Sequence, residues 1–476
     1  MAKSENDRAE IITAKWKTRL DAEERYFGTI ELDEDCRLRF PILDSVLDIP
    51  YGTTILWGRA SDLQRCTAVT LPFGPHGSVH SNGDRSFRSD GAVSRLIIGQ
   101  TYIPDPTAAF VTEIHFIPRP NRNLHIRQVH ELIQPRKDIA EIKFTPSCEP
   151  EKTTFATAHF AFFEPERDAV LDAEFQSGEI GIHAWIGGAS SPEFETLSIQ
   201  SHISFTIRFK TPRDVESALD ETNKLCTFLS FLTHQYIYPT EFGLAAAGEE
   251  HHFRLICRAF RKPVLRENTW VRNTLIVPDA EPIKFRDVLA MWYTNNEDAL
   301  RGRYLYRYSF EDPNNFSTDR FLAVFQAVEG RISKAGHQFL SKEELEKIEK
   351  VLQQALPDVP KLDALIGKIK SSNSESPRVI LKSELPRLFA AARIEARFDV
   401  DEFVERIYLR RNKSSHGGSH LDHEPIQALL NDTLLLTAIY LVIECEYLGL
   451  EPRDALTKFQ SSMWHDLPFR ASYGSN

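Results

Sequence analysis

Between Gly28 and about Lys210 the hydrophobic positions come in short runs broken by Pro, Gly and Asn. The run Ile203-Ser204-Phe205-Thr206-Ile207-Arg208-Phe209 alternates apolar and polar residues, the period of a half-buried strand. Thr54-Ile55-Leu56-Trp57, Ala109-Phe110-Val111 and Ile114-His115-Phe116-Ile117 are shorter segments of the same type. Loop residues crowd into Pro72-Phe73-Gly74-Pro75-His76-Gly77 and Ser81-Asn82-Gly83-Asp84. The pattern predicts a sandwich-like or barrel-like β domain. The residues before it, 1 to about 25, read as an exposed helix.

At Pro212 the period lengthens. Val215, Leu219, Cys226, Leu229 and Leu232 follow helical spacing, and mixed structure continues to about residue 300. Residues 211–310 are therefore read as a continuation of the N-terminal module, and Glu311-Asp312-Pro313-Asn314-Asn315 as the linker behind it. From Thr318 onward the chain reads as helical. Phe321, Phe325, Val328 and Ile332 make one apolar stripe. Ser341-Lys342-Glu343-Glu344 is a capping box, followed by Leu345, Ile348, Leu352 and Leu356. A short helix carries Leu362, Leu365, Ile366 and Ile369. After the loop Ser371–Pro377, helices are predicted over 384–396, 400–416 and 425–448.

A chain of 476 residues exceeds one core and implies two or three domains. The formal net charge of −11 provides no global positive field to gather nucleic acid, so any RNA binding must come from a local patch. Six cysteines (36, 66, 148, 226, 257, 445) contain no C-x-x-C pair and read as reduced, buried thiols. The N-terminus lacks the apolar core of a signal peptide. The longest apolar run, Leu434 to Ile443, is bounded by Asp432 and Glu444; it is too short to span a bilayer and fits a buried helix. A cytoplasmic protein without a membrane segment is expected.

The densest chemistry lies in Arg411-Asn412-Lys413-Ser414-Ser415-His416, followed by Gly417-Gly418. Asn412 and His416 are four apart on a helix and share a face, with Tyr408 one turn earlier. Arg411 is five from His416, about 140° around an ideal helix. Unwinding at the two glycines brings the pair closer, and a two-fold axis beside this helix would let Arg and His cooperate across subunits. Together they equip the chain to cleave RNA. An imidazole takes the 2′-hydroxyl proton or supports the leaving 5′-oxygen, a guanidinium holds the phosphate oxygens, and Asn412 orients either one. DNA lacks the nucleophile. Arg406, Arg410, Arg411 and Lys413 form a basic strip with no acid between Arg406 and Leu421, so Arg406, Arg410 and Lys413 are expected to bind the RNA backbone. On the opposing reading, basic residues simply complement the negative pole of a helix. The rival chemistry is a metal site at His416, His420 and His423 with Asp422 and Glu424, but Gly417, Gly418 and Pro425 interrupt the helix that would align it.

The Arg-Asn-x-x-x-His motif matches the signature of HEPN ribonucleases. Residues 318 to about 450 resemble the HEPN domain of ApeA-like anti-phage proteins, carried by Ile407 to Gly417, by the long apolar helix behind it and by Phe321 to Glu329. Residues from about 20 to 300 look like the ApeA N-terminal domain, at Gly28-Thr29-Ile30, Ile55-Leu56-Trp57-Gly58, Val69-Thr70-Leu71 and Thr222 to Phe231. The resemblance implies an α+β multidomain chain, with a β-rich N-terminal module followed by an all-α HEPN helical bundle. The boundaries are 1–310 for an ApeA-like sensor or target-recognition module (helical from about 211), 318–456 for the bundle and 457–476 for a C-terminal tail. The implied activity is metal-independent RNA cleavage in abortive infection, with transfer RNA as one expected target. Also implied are no cofactor, a homodimer or higher homo-oligomer through the HEPN domain, and an unknown phage-derived trigger. By position, Arg411, Asn412 and His416 are the catalytic residues. Glu329 and Tyr408 are supporting candidates, and Glu329 equally reads as a solvated helix glutamate. The alternative is a non-catalytic HEPN dimerisation or binding module whose N-terminal domain senses a phage or host component.

Overall fold

The computed structural model describes residues 10–23, 26–32, 37–40, 54–70, 76–79, 85–120, 171–175, 178–190, 197–249, 251–257, 274–276, 281–294, 296–311, 317–332, 339–357, 359–371, 373, 375–415, 426–463 and 469–471. The chain divides into two compact units. One comprises Met1–Cys226, Ile237–Lys262 and Val277–Arg286; the other comprises Thr227–Tyr236, Pro263–Ile276 and Asp287–Asn476.

In the first unit lie β1 (Glu10–Lys17), β2 (Tyr26–Leu32), β3 (Arg37–Phe40), β4 (Ile55–Ala60), β5 (Arg65–Thr70), β6 (His76–Val79) and β7 (Arg85–Gly99). After them come β8 (Val111–Arg119), β9 (Leu171–Phe175), β10 (Gly178–Ser190), β11 (Leu197–Arg213), β12 (Tyr238–Ala246) and β13 (Phe253–Cys257). All thirteen join one sheet in the order β3-β2-β1-β4-β5-β7-β13-β12-β8-β11-β10-β9, with β6 paired to β7. Because β3 also pairs with β7, six strands close into a ring, β1-β2-β3-β7-β5-β4. Its core is Ala14, Trp16, Ile30, Leu56, Cys66, Ala68, Val93, Leu96 and Ile98. The predicted barrel-like character is met in this ring. Beyond it, Phe116 stacks on Phe205 at 5.9 Å and lies 6.4 Å from Phe242.

The N-terminal helix expected over residues 1 to 25 is corrected by β1. Ala14 and Trp16 are buried at a period of two, with Ile12 packed against the same core. Trp16 Nε1 donates to the Gly28 carbonyl at 3.3 Å. Gly58 sits opposite Trp16 in the β1–β4 register, and a Cβ there would come within 2.5 Å of the indole ring. Three alternating apolar residues among charged ones are too few to separate a period of 2 from 3.6, and the long-range pairing decides. Burial pushes the Cys66 thiol up to about 12, so it stays protonated in the ring. Cys226 and Cys445 are buried as expected, whereas Cys36 and Cys148 lie outside the described residues.

The helices are α1 (Val215–Thr233), α2 (Pro282–Thr294), α3 (Asn296–Tyr308), α4 (Thr318–Ile332), α5 (Lys342–Ala355) and α6 (Leu362–Ser371), then α7 (Pro377–Ala391), α8 (Val400–Ser415), α9 (Ile426–Tyr447) and α10 (Pro452–Met463). The division between units falls within α1 and α2, not at the predicted linker, of which Asp312–Asn315 lie outside the described residues. Thus α3 belongs with the second unit. Its Arg303 is fully buried there and donates from Nε to Glu444 Oε1 on α9 at 2.7 Å. Of the expected tail from 457, the residues to Met463 continue α10 and Phe469–Ala471 form a strand. Ala455, Leu456 and Phe459 bury one face of α10, and β15 (Phe469–Ala471) pairs with β14 (Ile394–Ala396). The capping box is present as read, with Glu344 N–H donating to Ser341 Oγ at 3.2 Å and Ser341 N–H to Glu344 Oε2 at 2.8 Å.

Helix α9 has 22 residues and is long and apolar enough to cross a membrane, although most of its apolar window is buried within the protein. The ten-residue run understated its length. The long apolar helix is nonetheless the buried one predicted, with Leu436, Ala438, Tyr440 and Leu441 at zero exposure.

His234, just past α1, has a left-handed backbone (φ 54°) and is buried, with Nδ1 3.5 Å from Tyr306 Oη and its ring edge-on to Phe459 at 5.2 Å. Burial first, and the Lys458 ammonium second, hold its pKa down to about 3. Below about pH 6.5 the unfolded chain binds a proton that the folded chain refuses, so this stability is present above pH 6.5 and drains away towards pH 3, by about 1.4 kcal/mol per pH unit. Urea titrations at pH 7.5 and 5.5 should separate by more in the native chain than in His234→Phe; equal pH slopes would refute the assignment.

Candidate functional site

Helix α8 presents three differently engaged faces. Phe403, Val404 and Ile407 are fully buried, as a core-facing stripe requires. Arg410 continues that inward side and is 3% exposed. Leu409, Asn412 and Lys413 face solvent, and Arg411 is partly covered. The first turn carries Asp401 and Glu402, and the cations follow from Arg406 on, so charge runs with the helix dipole.

The buried Arg410 is held by Asp432, which is almost fully buried on α9. Arg410 Nη1 forms a short ion pair with Asp432 Oδ2 and also reaches the Ala428 carbonyl at 3.4 Å. Arg406 reaches the same carboxylate through Nη2 at 2.9 Å and Nε at 3.2 Å. One carboxylate therefore joins two turns of α8 to the start of α9. This changes the expected RNA-binding strip. Arg410 is withdrawn from solvent because an unpaired buried guanidinium is costly and Asp432 compensates it. Arg406 keeps half its side chain exposed, and Lys413 projects outward. An open depression of about 440 Å³ lies along this face, lined entirely from α8 by Asp401, Glu402, Glu405, Arg406, Leu409, Arg410 and Lys413.

On the adjoining side, Tyr408 Oη donates to Glu329 Oε1 of α4 at 3.2 Å, and its ring meets Phe325 edge-on at 5.0 Å. Burial first, and the Glu329 carboxylate second, push the phenol well above its ordinary pKa, so it remains a donor. The positive charges of Arg411 and Arg378 act in the opposite direction on the same phenol. Arg411 Nη1 donates to Asn412 Oδ1 at 3.1 Å. Glu329, Tyr408 and Arg411 thus lie on one side of α8, with Asn412 beside them at the surface. The chemistry such a group offers is anion binding by a guanidinium whose neighbours are a carboxylate and a neutral phenol. His416, Gly417 and Gly418 lie outside the described residues, as do His420, Asp422, His423 and Glu424 of the rival metal reading.

Sequence reasoning missed Asp432, Glu405, Arg378 and Lys382. Lys382 Nζ lies 2.7 Å from Glu405 Oε1, and Arg378 forms a short pair with Glu405, joining α7 to α8. The signal for Asp432 was available, since an acid at the head of the most apolar helix requires a partner.

Residues 164–292 match the family model for ApeA N-terminal domain 1. That stretch contains β9 to β13, α1 and most of α2. It includes Thr222 to Phe231, one of the segments that carried the resemblance, and supports an ApeA-like chain and with it a family of anti-phage defence proteins. No curated protein and no solved structure matches the chain.

Proposed function

We propose that the chain is an anti-phage ribonuclease that cleaves RNA without a metal, through a HEPN-type site on α8. The observation that carries this reading is the placement of Arg411 and Asn412. They occupy the last turns of α8, accessible from solvent and flanked by the Tyr408–Glu329 pair, immediately ahead of His416 in the sequence. A guanidinium there binds the scissile phosphate and stabilises its developing charge. The His416 imidazole accepts the 2′-hydroxyl proton, the 2′-oxygen attacks phosphorus, and the 5′-oxygen leaves with a proton taken from water. The products are a 2′,3′-cyclic phosphate and a 5′-hydroxyl. A dimer belongs to the proposal, because residues five apart on one helix do not point the same way and a second copy supplies the missing partner. Transfer RNA is the proposed substrate class, and a phage-derived trigger acting on the N-terminal module is the proposed control.

The full chain, purified and incubated with cellular RNA in EDTA, should yield fragments with cyclic-phosphate ends. A substrate carrying a 2′-deoxy ribose at the cleaved position should be resistant. Cleavage lost in EDTA and restored by zinc would overturn the metal-free mechanism, and intact RNA in phage-challenged cells would overturn the nuclease reading.

A further inference from the structure

The six-stranded ring turns its apolar residues inward, and positive charge collects on the outside of three of its strands. Along β1, Ala14 and Trp16 enter the core, so Lys15 and Lys17 stand on the outer face. Along β4, Leu56 and Ala60 are buried and Arg59 is outside; along β5, Cys66 and Ala68 are buried and Arg65 is outside. The register aligns these positions. Lys15 lies directly opposite Arg59, and Arg59 directly opposite Arg65. Three adjacent strands therefore carry a cation each in one cross-strand row. Lys17 adds a fourth, one pleat further along β1 and opposite Trp57. Lys15 and Arg59 are exposed, and Lys17 and Arg65 are partly covered.

Like charges set opposite one another on neighbouring strands destabilise a sheet. This chain nevertheless places three in register, although its net charge is −11 and acids outnumber bases. Within β1, β4 and β5 the sole acid is Glu10, at the other end of β1 from Lys17. In the adjoining turns, Asp21 is taken by Arg19 at 2.9 Å, and Asp62 turns back onto the Gln64 N–H at 3.1 Å. A local positive field of this kind gathers an anion from outside.

The size of the patch and its aromatic neighbours identify that anion. Neighbouring strands lie about 4.8 Å apart, and alternate residues of one strand about 6.7 Å apart, so the four cations cover about 10 by 7 Å. A single phosphate does not reach across such an area, whereas a chain of phosphates does. Tyr102, just past β7, lies among the cations. Its ring centroid is 4.9 Å from the Lys17 ammonium and 5.1 Å from the Arg65 guanidinium, and Arg65 Nη1 donates to its Oη at 3.3 Å. Trp57 Nε1 donates to the Ile103 carbonyl at 2.9 Å, which ties the indole to the same segment. Both rings are only partly covered. Cations that follow a phosphate backbone, with aromatic rings among them for flat bases, suit a single nucleic-acid strand. A membrane surface is entered by a continuous apolar face. Among the described residues, the large apolar groups that these hairpins expose are Leu20 and Leu63, beyond opposite ends of β4.

We infer that the outer face of β1, β4 and β5 binds single-stranded nucleic acid, with Lys15, Lys17, Arg59 and Arg65 on the phosphates and Tyr102 and Trp57 beside the bases. The face belongs to the first unit and does not rest on the nuclease reading of α8.

Fluorescence anisotropy on the full chain tests this with one labelled mixed-sequence oligonucleotide, offered as single-stranded DNA, as RNA and as the DNA duplex. A Lys413→Glu background keeps the α8 cations from masking the sheet. The DNA strand lacks the 2′-hydroxyl, so its binding is read independently of any cleavage. Lys15→Glu and Arg59→Glu should each weaken single-strand binding by about tenfold or more, and Lys15→Ala should reduce the salt slope by about 0.7, the share of one phosphate contact. Lys15→Glu sets a carboxylate opposite Arg59, so its urea midpoint should not fall, which separates lost binding from lost fold. Loss of either strand in these variants upholds the inference, and a preference for RNA would name the source. Binding unchanged by both charge reversals would overturn it. So would a duplex bound as tightly as the single strand, complete displacement by inorganic phosphate at the salt-matched ionic strength, or capture by phosphatidylserine vesicles with no binding of the oligonucleotide.

Discussion

His416→Ala should lose RNA cleavage by about 10²- to 10⁴-fold, the contribution of a positioned general acid or base. Arg411→Ala should lose about 10²- to 10³-fold through the charge it no longer stabilises. The two losses differ in kind. Removing the imidazole should flatten the limb of the pH–rate profile that it governs, whereas removing the guanidinium should leave that limb in place and weaken phosphate binding. Arg411→Ala should not shift the urea midpoint, since Arg411 is only partly covered and donates to its exposed neighbour Asn412. Protection against phage should fall with cleavage in both variants. Full protection by His416→Ala would instead favour a binding module whose N-terminal half performs the defence. Lys413→Ala should weaken RNA binding modestly and reduce its salt dependence. Arg410→Ala should act through stability, because its charge is spent on Asp432.

Glu444→Ala should be the most destabilising single substitution in the second unit, by about 3–5 kcal/mol. The carboxylate has no solvent exposure. It accepts from Arg303 Nη2 at 2.6 Å and Nε at 2.7 Å, and from Arg331 Nη2 at 2.8 Å and Nε at 2.9 Å. Arg303 also stacks on Trp292 at 3.8 Å and donates to its carbonyl at 2.7 Å, while Arg331 lies over Tyr447 at 4.3 Å. Deleting the acid removes the carboxylate that both guanidinium groups share in a low-dielectric setting. The triple variant Arg303→Met, Arg331→Met, Glu444→Leu should recover much of the loss, because the desolvation cost leaves with the charges. Urea unfolding followed by helical circular dichroism measures both. A triple variant no more stable than Glu444→Ala would refute this account of the network. Because Arg303 precedes residue 310, a fragment beginning at 311 lacks one arm of it. Truncation at the apparent linker would therefore confound loss of regulation with loss of fold.

Some of this arrangement was legible in the residues because it is local. The capping box at Ser341 and Glu344, the apolar stripes of α1 and α4, and the alternation in β11 need only neighbours a few positions apart to take effect. The motif from Arg411 to His416 was visible for the same reason, as was the likeness to ApeA that the match over 164–292 supports. The site's supports were less visible. Asp432 and Glu444 entered the sequence reading only as the two ends of an apolar run, yet both are buried acceptors for arginines from other helices.

The sequence by itself determined which segments are strand and which are helix wherever the period was sustained, and it placed a cation, an amide and an imidazole in one short stretch. Tertiary structure decided the rest. It made a strand of Glu10–Lys17 by pairing it with two others around Trp16, moved α3 into the helical unit through Arg303, and turned Arg410 inward onto Asp432, which the half-exposed Arg406 also reaches. These outcomes depend on groups far apart in the chain. The cost of burying a charge or an unpaired backbone is settled only by the partner that folding brings to it.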